Sequence, residues 1–282
     1  MSDIITTRVP ASTANLGPGY DCLGIALQLY NSVTVRLDGA GRLHAEKGSM
    51  AAKAAELLFA EPGLEPVEFS WDVSGDVPRS RGLGSSVTVR LGILHGLNTL
   101  LRAALLPERI FELCAQLEGH PDNAAPAAFG GFTVAGGPRV ARFEVGHELQ
   151  FVLLIPDFEV ATPDARAVLP SQLDRLSAVQ SCANACRITA AFAAQDYENL
   201  RGTFLDGLHQ PFRQKLIPFL PEVIAAGESA GALGGFLSGS GSTICCVTLD
   251  RAEEVAAAMR AAAPPTCRSV VTGADNQGML LG

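Results

Sequence analysis

The sequence predicts an α+β fold that is divided into two lobes. Helical and strand-like patterns are mixed along the chain, without the strict strand–helix–strand repeat of a doubly wound sheet. A continuous apolar run, Phe151–Ile155, is typical of a central strand. The polar segment around Gly146 precedes that run, and we expect it to separate an N-terminal lobe, 1–146, from a C-terminal lobe, 147–282.

The individual elements follow from the spacing of their apolar residues. Helices are predicted where such residues recur every three or four positions: Ser49–Ala60, Val89–Leu106, Pro107–Glu118, Leu173–Ala194 and Arg251–Ala262. Strands are predicted where residues alternate or form short apolar runs: Leu29–Leu37, Val67–Val73, Gly131–Ala135, Phe151–Ile155, around Phe236, Thr243–Leu249, Ser269–Thr272 and Met279–Leu281.

The composition excludes several classes of protein. A net charge of −8 and a pI near 5.1 argue against nucleic-acid binding, which needs clustered basic residues. No apolar run is long enough to span a membrane. The N-terminus lacks the apolar region of a secretory signal, and the seven cysteines form no zinc-binding CxxC pair. We therefore expect a cytoplasmic protein with reduced thiols.

The stretch PRSRGLGSSVT, Pro78–Thr88, has the glycine density of a phosphate-binding loop and precedes a helical pattern. It is not a Walker A loop, because it has no lysine, and it lacks the third glycine of a dinucleotide-binding fingerprint. No G-x-S-x-G serine-hydrolase motif occurs either. Glycines followed by a helix N-terminus near Ser86 can bind an anion through backbone N–H groups. Ser85 and Ser86 could also simply cap the helix, and the loop alone leaves both interpretations open.

Two further motifs accompany this loop. VPASTANLGPGYDCLG, Val9–Gly24, precedes it, and LSGSGST, Leu237–Thr243, follows it. We call these three stretches, in chain order, the first, second and third motifs. Together they resemble the three signatures of the GHMP kinases, and within that superfamily the first motif resembles the homoserine kinases. EGHPDNAAPAAFGGF, Glu118–Phe132, and the short segments NACR and PFRQKLIP resemble the same family.

The resemblance implies a fold, a nucleotide and a metal. The expected fold has an N-terminal lobe like ribosomal protein S5 and a ferredoxin-like C-terminal lobe, with ATP and substrate between them. It implies that Ser86 and Glu118 bind Mg²⁺ and take part in catalysis. It implies that the second motif binds the ATP phosphates, through Pro78, Arg79, Ser80, Arg81, Gly82, Leu83, Gly84, Ser85, Ser86, Val87 and Thr88.

The resemblance also assigns the substrate residues. It pairs Arg187 and Arg213 with the carboxylate of an amino acid, for which a guanidinium fork is suited. Asp21 is the expected partner of the ammonium group. The remaining expected substrate contacts are Asn15, His120 and Asn123, of which Asn123 lies nearest the reacting hydroxyl and is counted as catalytic.

One departure from the family pattern affects the nucleoside. The segment from Asp38 to Ala51 is short and lacks the asparagine-containing sequence expected there, so the sequence assigns no base or ribose contacts. The catalytic base also stays unassigned. Asp122 is a candidate, but the homoserine kinases are usually described as working without a dedicated base.

The function that the resemblance implies is phosphorylation of L-homoserine by ATP, on the route to threonine. Two alternatives stay open at this stage. One is a GHMP kinase for another small alcohol, such as shikimate or mevalonate, and the other is a ligand-binding relative without activity. A homodimer is a further expectation from relatives, whereas nucleic-acid and membrane partners are not expected.

Overall fold

The computed structural model describes residues 3–37, 41, 43–137 and 139–281. Its strands are β1 Ile4–Ala14, β2 Leu23–Arg36, β3 Leu43–His44, β4 Ser70–Gly75, β5 Phe132–Ala135, β6 Val140–Phe143, β7 Gln150–Ile155, β8 Gly234–Leu237, β9 Ile244–Thr248, β10 Arg268–Gly273 and β11 Leu280–Leu281. Its α-helices are α1 Met50–Phe59, α2 Ser85–Leu100, α3 Pro107–Glu118, α4 Ala124–Phe129, α5 Thr162–Ala167, α6 Arg175–Ala194, α7 Gln210–Arg213, α8 Leu220–Ser229 and α9 Ala252–Ala261. Short 3-10 helices occupy Tyr197–Leu200 and Gln214–Leu216.

The first sheet carries the first motif on its longest hairpin. Strands β1 and β2 pair antiparallel along nearly their whole length, and β4 and β5 extend the sheet from β2. The sequence patterns did not predict β1. Its register shifts at Pro10/Ala11, and this bulge accommodates a proline that is unusual inside a strand. The strand ends at Ala14, where the turn of the first motif begins.

The second sheet has the topology of a ferredoxin-like lobe. Its four antiparallel strands lie in the order β10-β7-β9-β8, which is fourth, first, third, second in chain order. Helices occur between its first and second strands and between its third and fourth, as in the split βαβ arrangement. The predicted α+β class is confirmed, and the third motif lies in the connection from β8 to β9.

Helix α2 packs directly on the first sheet and fixes the position of the second motif. A Cβ atom on Gly92 would lie 2.4 Å from Val33, and one on Gly96 would lie 2.7 Å from Val35. These glycines therefore let the helix backbone approach β2 closely. The helix begins at Ser85, four residues before the predicted start at Val89, so its first turn belongs to the glycine-rich loop.

The two lobes share a hydrophobic core. Ile25 and Phe132 from the first sheet pack in one cluster with Phe151 and Phe236 from the second. The last strand, β11, returns to pair with β1 of the first sheet. The division of the chain into lobes 1–146 and 147–282 stays a prediction. Strand β11 lies in the second of these segments but pairs with a strand of the first. Among the described helices, none combines the length and apolarity needed to cross a membrane.

Candidate active site

The second motif is hydrogen-bonded to both of the others. The backbone N–H of Ser12, in the first motif, donates to the carbonyl of Leu83 at 3.2 Å. The hydroxyl of Ser238, in the third motif, donates to the carbonyl of Gly82 at 2.6 Å. Gly82 has a φ of 72°, and a Cβ there would lie 2.1 Å from the Ser238 carbonyl oxygen. A glycine is therefore required where these two loops meet.

Asn15 joins the first motif to the third. Its side-chain Nδ2 donates to the carbonyl of Gly239 at 2.9 Å, and its Oδ1 accepts from the backbone N–H of Asp21 at 3.0 Å. The backbone of Gly239 donates in turn to the carbonyl of Ala14 at 3.0 Å. The three motifs, which are far apart in the chain, therefore surround one place in the fold.

The N-terminus of α2 lies where the three motifs meet, and its first residues line the space between them. Gly84 is the N-cap residue, with a φ of 69°, and no side chain caps the helix. Of the two interpretations that the sequence left open, capping by Ser85 or Ser86 is not what the structure has, because both residues lie inside the first turn. A Cβ on Gly84 would come within 2.2 Å of Ser12 Oγ, so a larger residue would not fit. An uncapped helix N-terminus is favourable for binding an anion.

A cavity of about 980 Å³ lies between the motifs. Most of the residues predicted for the site line it: Asn15, Asp21, Arg79, Ser80, Arg81, Gly82, Gly84, Ser85, Ser86, Val87, Glu118, His120, Asn123 and Arg213. The predicted residues Pro78, Leu83, Thr88 and Arg187 are not part of its lining.

Three residues of the second motif support the loop from outside the cavity or from its edge. Leu83 is buried in the core. Thr88 is also buried, and its hydroxyl accepts from Asn31 Nδ2 at 2.8 Å and donates to the Ser85 carbonyl at 2.8 Å. Arg81 lines the cavity, but its guanidinium donates to the carbonyls of Pro156 and Asp157. The contacts of these three side chains are therefore with the protein itself, and they hold the loop in place.

Glu118 and Ser86 meet at one end of the cavity. The Ser86 hydroxyl donates to Glu118 Oε2 at 3.2 Å, and Arg90 forms an ion pair with the same carboxylate. Glu118 ends α3, and Gly119 follows it with a φ of 82°. One hydroxyl and one carboxylate that face the same space are hard oxygen donors of the kind that Mg²⁺ prefers, so the residues fit that ion.

Apolar side chains form the far wall of this end. Leu43, Met50, Trp71 and Val73 line the cavity, and Leu43 and Trp71 are direct partners across the β3–β4 pair. The indole Nε1 of Trp71 is buried without a hydrogen-bond partner among the described residues. The apolar side chains at this end offer a surface against which a flat ring can pack.

An ion pair marks the opposite end of the cavity. Arg166, on α5, donates to both carboxylate oxygens of Asp21, at 2.8 and 3.0 Å. It also donates to the hydroxyl of Tyr20 at 3.0 Å. The sequence interpretation did not identify Arg166, since its segment, TPDARAVLP, was not among the motifs considered. The only available signal was an arginine within a proline-flanked segment.

Arg213 lies beside this pair and is nearly buried. Its Nε donates to the carbonyl of Ala165 at 3.0 Å, and its NH1 donates to the carbonyl of Gly239 at 3.0 Å. The guanidinium stacks over the ring of Tyr20, 5.2 Å from its centroid. Two guanidinium groups, those of Arg166 and Arg213, therefore lie on the same tyrosine at one end of the cavity.

Arg187 lies elsewhere, contrary to the expectation that it joins Arg213 at the substrate. It is exposed on α6 and lines a separate hollow of about 320 Å³ with Ala190, Ala194 and Asn199. It is placed there because α6 turns its buried face, which includes Asn184 and Ile188, toward the protein. The structure therefore brings Arg166, rather than Arg187, together with Arg213.

A compact polar cluster connects the two ends. His120 Nδ1 lies 2.5 Å from Asp122 Oδ1, and the same oxygen accepts from the backbone N–H of Asn123 at 2.9 Å. The hydrogen bond to Asp122 raises the pKa of His120 against the opposing effect of burial. Asn123 Oδ1 accepts from Ser12 Oγ at 2.9 Å, which ties the cluster to the first motif.

Comparison with known proteins agrees with this fold and these motifs. The models of the GHMP kinase N-terminal and C-terminal domains match residues 49–131 and 188–265. The chain therefore belongs to the GHMP kinases. Two curated relatives named homoserine kinase are 38% and 34% identical to it: that of Moorella thermoacetica, with 90% of this chain and 91% of the relative covered, and that of Halothermothrix orenii, with 99% and 96% covered. Within the GHMP kinases, the chain is a member of the homoserine kinases.

Solved structures give the same result. A crystal structure of homoserine kinase from Cytophaga hutchinsonii matches with a TM-score of 0.88 and 26% identity, covering 100% of this chain and 98% of that one. The mevalonate kinase of Methanococcus jannaschii matches with a TM-score of 0.70 and 15% identity, covering 97% and 98%. The latter likeness concerns the fold alone.

Proposed function

We propose that this protein transfers the γ-phosphoryl group of ATP to the hydroxyl of L-homoserine, giving O-phospho-L-homoserine for threonine synthesis. The observation that carries the proposal is that the two ends of the cavity have different chemical groups. One end has an uncapped helix N-terminus and a glycine-rich loop, and the other has an Arg166–Asp21 ion pair beside Arg213. The first end suits phosphates, and the second suits an amino acid.

The phosphates of ATP would lie at the N-terminus of α2. Backbone N–H groups of the glycine-rich loop and the positive end of the helix dipole provide the anion site. Arg79 is exposed at the rim of the cavity and can add a positive charge. Phosphoryl transfer depends chiefly on such positioning and on neutralising charge, because the protein itself contributes little covalent chemistry.

Mg²⁺ would be held by Ser86 and Glu118. When bound, the ion would neutralise negative charge on the phosphates. The remaining contribution comes from the chain. Arg90 holds the Glu118 carboxylate toward the cavity, and the Ser86 hydroxyl fixes its second oxygen. Held by these two contacts, the Glu118 carboxylate does not move to the positive N-terminus of α2. That N-terminus therefore stays available for phosphate.

The nucleobase would lie against the apolar wall near Trp71. Trp71 and Leu43 both line the cavity there, so their side chains offer an apolar surface against which a flat base can pack. Part of the short segment on which the sequence assigned no base contact, residues 38–40 and 42, lies outside the described residues. Trp71 and Leu43 offer a base contact that does not require the missing asparagine.

The amino-acid end is suited to a zwitterion. Arg166 and Asp21 neutralise each other in the structure, at 2.8 Å. A substrate with both a carboxylate and an ammonium can replace this contact with two new ion pairs, one on each residue, with Arg213 as a second carboxylate partner. A monoanion such as mevalonate or shikimate that bound Arg166 would leave the Asp21 carboxylate without a cation, which costs free energy at a partly buried site. Galactose has no charge and could not replace the Arg166–Asp21 contact with new ion pairs.

The reacting hydroxyl would lie near Asn123 and His120. Its oxygen attacks the γ-phosphorus, the bond to the bridging oxygen breaks, ADP leaves, and the hydroxyl proton passes to an oxygen of the transferred phosphoryl group. Asp122 Oδ1 is already engaged by His120 Nδ1 and by the backbone N–H of Asn123, so this oxygen is not free to accept the hydroxyl proton. We therefore assign no base and propose that Asn123 and His120 orient the substrate.

A panel of alcohols tests this function. ADP release should be measured with L-homoserine, shikimate, mevalonate and galactose at equal concentration. The proposal predicts turnover with L-homoserine and at least about tenfold lower kcat/KM with each of the others. Faster turnover with shikimate or mevalonate would replace it with the second GHMP kinase function, and no turnover with any of them would favour a binding protein.

A homodimer and a cytoplasmic location complete the proposal. Leu176 and Val179 are 78% and 61% exposed near the start of α6, and the alanine-lined hollow beside Arg187 lies near its end. Two copies of α6 packed antiparallel would place these large side chains opposite the hollow of the partner. Leu176→Asp should then give monomers in sedimentation analysis. The cytoplasmic location agrees with seven free cysteines.

A further inference from the structure

His209 is fully buried behind Arg213, and the function proposed above does not use it. It lies immediately before α7, the short helix that carries Arg213. Its Nε2 is 2.8 Å from the carbonyl oxygen of Gly17, and its Nδ1 is 3.3 Å from Arg213 NH1. Nε2 also lies 3.5 Å from Asp206 Oδ2, so it faces two hydrogen-bond acceptors, whereas Nδ1 faces a donor. The partners on the two sides of the ring therefore have opposite hydrogen-bonding roles.

Those roles fix the tautomer. A carbonyl oxygen only accepts, so Nε2 must carry the proton and donate to Gly17. A guanidinium only donates, so Nδ1 must accept from Arg213. Burial lowers the pKa of His209 to about 4. The nearby Asp206 carboxylate accepts the backbone N–H groups of Leu208, His209 and Gln210. The ring is therefore neutral at physiological pH, as the bond from Arg213 requires.

The same bonds determine where Arg213 points. Its Nε binds the carbonyl of Ala165, and its NH1 binds both the Gly239 carbonyl and His209. In the part of the chain that the structure describes, these bonds occupy the Nε and NH1 groups, and the residue lines the cavity. The NH2 group is thereby left to face a ligand.

His209 also fixes the loop that carries Asp21. Gly17 belongs to the turn of the first motif, and its φ is 71°. A Cβ there would lie 2.5 Å from the carbonyl of Phe204, so the turn packs tightly against the segment before α7. The Tyr20 ring, which supports Arg213, lies 5.3 Å from the imidazole. One side chain thus contacts both the arginine and the loop opposite it.

We propose that His209 is a positioning residue: it holds Arg213 and the turn of the first motif in the relative positions needed to bind the substrate carboxylate. It touches no reacting atom and acts through Arg213. The inference rests on the proposed function, in which Arg213 binds that carboxylate.

The test compares His209→Phe, which keeps a ring and removes both bonds, with His209→Asn, whose Oδ1 can accept from Arg213 near the position of Nδ1. Loss of a hydrogen bond to a charged group predicts a rise of about tenfold or more in the KM for L-homoserine with His209→Phe. The rise should be smaller with His209→Asn, while the KM for ATP changes less than about twofold. His95→Phe, on α2, is the control for losing a histidine that does not line the cavity; His95 is half-buried.

A double-mutant cycle separates this inference from the proposed function. If His209 acts through Arg213, then His209→Phe in an Arg213→Gln background should raise the homoserine KM no further. Additive effects, or equal rises in the KM values for ATP and homoserine, would overturn the inference alone. An Arg213→Gln variant with the wild-type KM for homoserine would instead overturn the carboxylate site of the proposed function.

A measurement on the unmutated protein covers the case in which the variants do not fold. The ¹⁵N chemical shifts of His209 should report a neutral ring protonated at Nε2 from about pH 6 to pH 8, since its pKa is about 4. A ring that titrates in that range, or that carries its proton on Nδ1, would contradict the hydrogen bonds on which the inference depends.

Discussion

The two ends of the cavity are built in different ways. The end that we propose for the phosphates, the phosphate end, comes from one continuous stretch, in which Gly82, Gly84 and Ser85 turn the chain into α2. The amino-acid end is assembled from separate segments: Asp21 follows the turn after β1, Arg166 lies on α5, and Arg213 lies on α7. A local site can be identified from a few letters of sequence, whereas a distributed site depends on which segments the fold brings together.

The largest expected effect concerns the distributed end. Arg166→Gln and Arg213→Gln should each lower kcat/KM for L-homoserine, which corresponds to a loss of about 2–5 kcal/mol in transition-state stabilisation. The reason is that the substrate carboxylate would lose a charged partner at a partly buried site. Arg187→Gln is the matched control, and its kcat/KM should stay within about twofold of wild type. If Arg187→Gln lowered kcat/KM as much as the other two variants, the assignment of Arg166 to the carboxylate would be wrong. The pairing of Arg187 with Arg213 that the resemblance implies would then be correct.

The same variants should act selectively. With 3-amino-1-propanol, which lacks the carboxylate, the two cavity variants should lose no further activity relative to wild type. ATP affinity should also be unchanged, since the nucleotide occupies the other end. Equal losses on both alcohols would mean that the arginines support the fold rather than the carboxylate.

The next effect concerns Glu118 at the phosphate end. Glu118→Gln should lower kcat by about 10²-fold or more, as expected when one electrostatic stabiliser of a transition state is removed. Glu112→Gln provides a control on the same helix, since Glu112 is exposed and pairs with Arg109. Normal turnover in a folded Glu118→Gln protein would remove this residue from the metal site.

A third change separates helix stability from phosphate binding. Ser85→Asp puts a negative charge in the first turn of α2, where it should raise the free energy of unfolding by about 0.3–1 kcal/mol. The same charge should weaken ATP binding by about tenfold, because it competes with phosphate. Calorimetry and thermal unfolding measure the two quantities. Weakened ATP binding together with lower stability would indicate general damage instead. The Gly84→Val change is less informative, because the clash with Ser12 distorts the loop.

The smallest effect is a pH dependence of stability. The pKa of His120 is raised above 6.5, chiefly by its hydrogen bond to Asp122. The stabilisation is therefore complete below about pH 6.5 and is lost as pH rises through the folded-state pKa. The difference in unfolding free energy between wild type and His120→Gln should shrink accordingly. His147→Gln, at an exposed histidine, is the control for removing an imidazole. A difference that grows with pH would contradict the assignment.

The elements that the sequence predicted well are those with regular apolar spacing. Helix α3 begins at Pro107 and ends at Glu118, as expected, because proline suits the first turn and Gly119 ends the helix. Strand β1 was missed because serine, threonine and Pro10 give it the composition of a loop. Its strand conformation is stabilised by pairing with β2, a long-range interaction that local patterns do not report.

The site shows the same division. The second motif predicted a glycine-rich loop that leads into a helix, since glycine spacing and a following helix are local properties, and the loop lines the cavity. Its binding of phosphate stays a prediction. Asp21 and Arg213 were identified by resemblance, and both line the cavity. Arg166 was missed and Arg187 chosen in its place, because the partner of Arg213 is determined by the contact of α5 with the first motif. The spacing of residues along the sequence does not indicate that contact.

A crystal structure with L-homoserine and a non-hydrolysable ATP analogue would test the central claim most directly. The account predicts that the homoserine carboxylate binds the guanidinium groups of Arg166 and Arg213. It also predicts that the ammonium binds Asp21, in place of the present Arg166–Asp21 contact, and that the triphosphate lies at the N-terminus of α2. A carboxylate bound at Arg187, or an Arg166–Asp21 pair left intact beside the bound substrate, would contradict it.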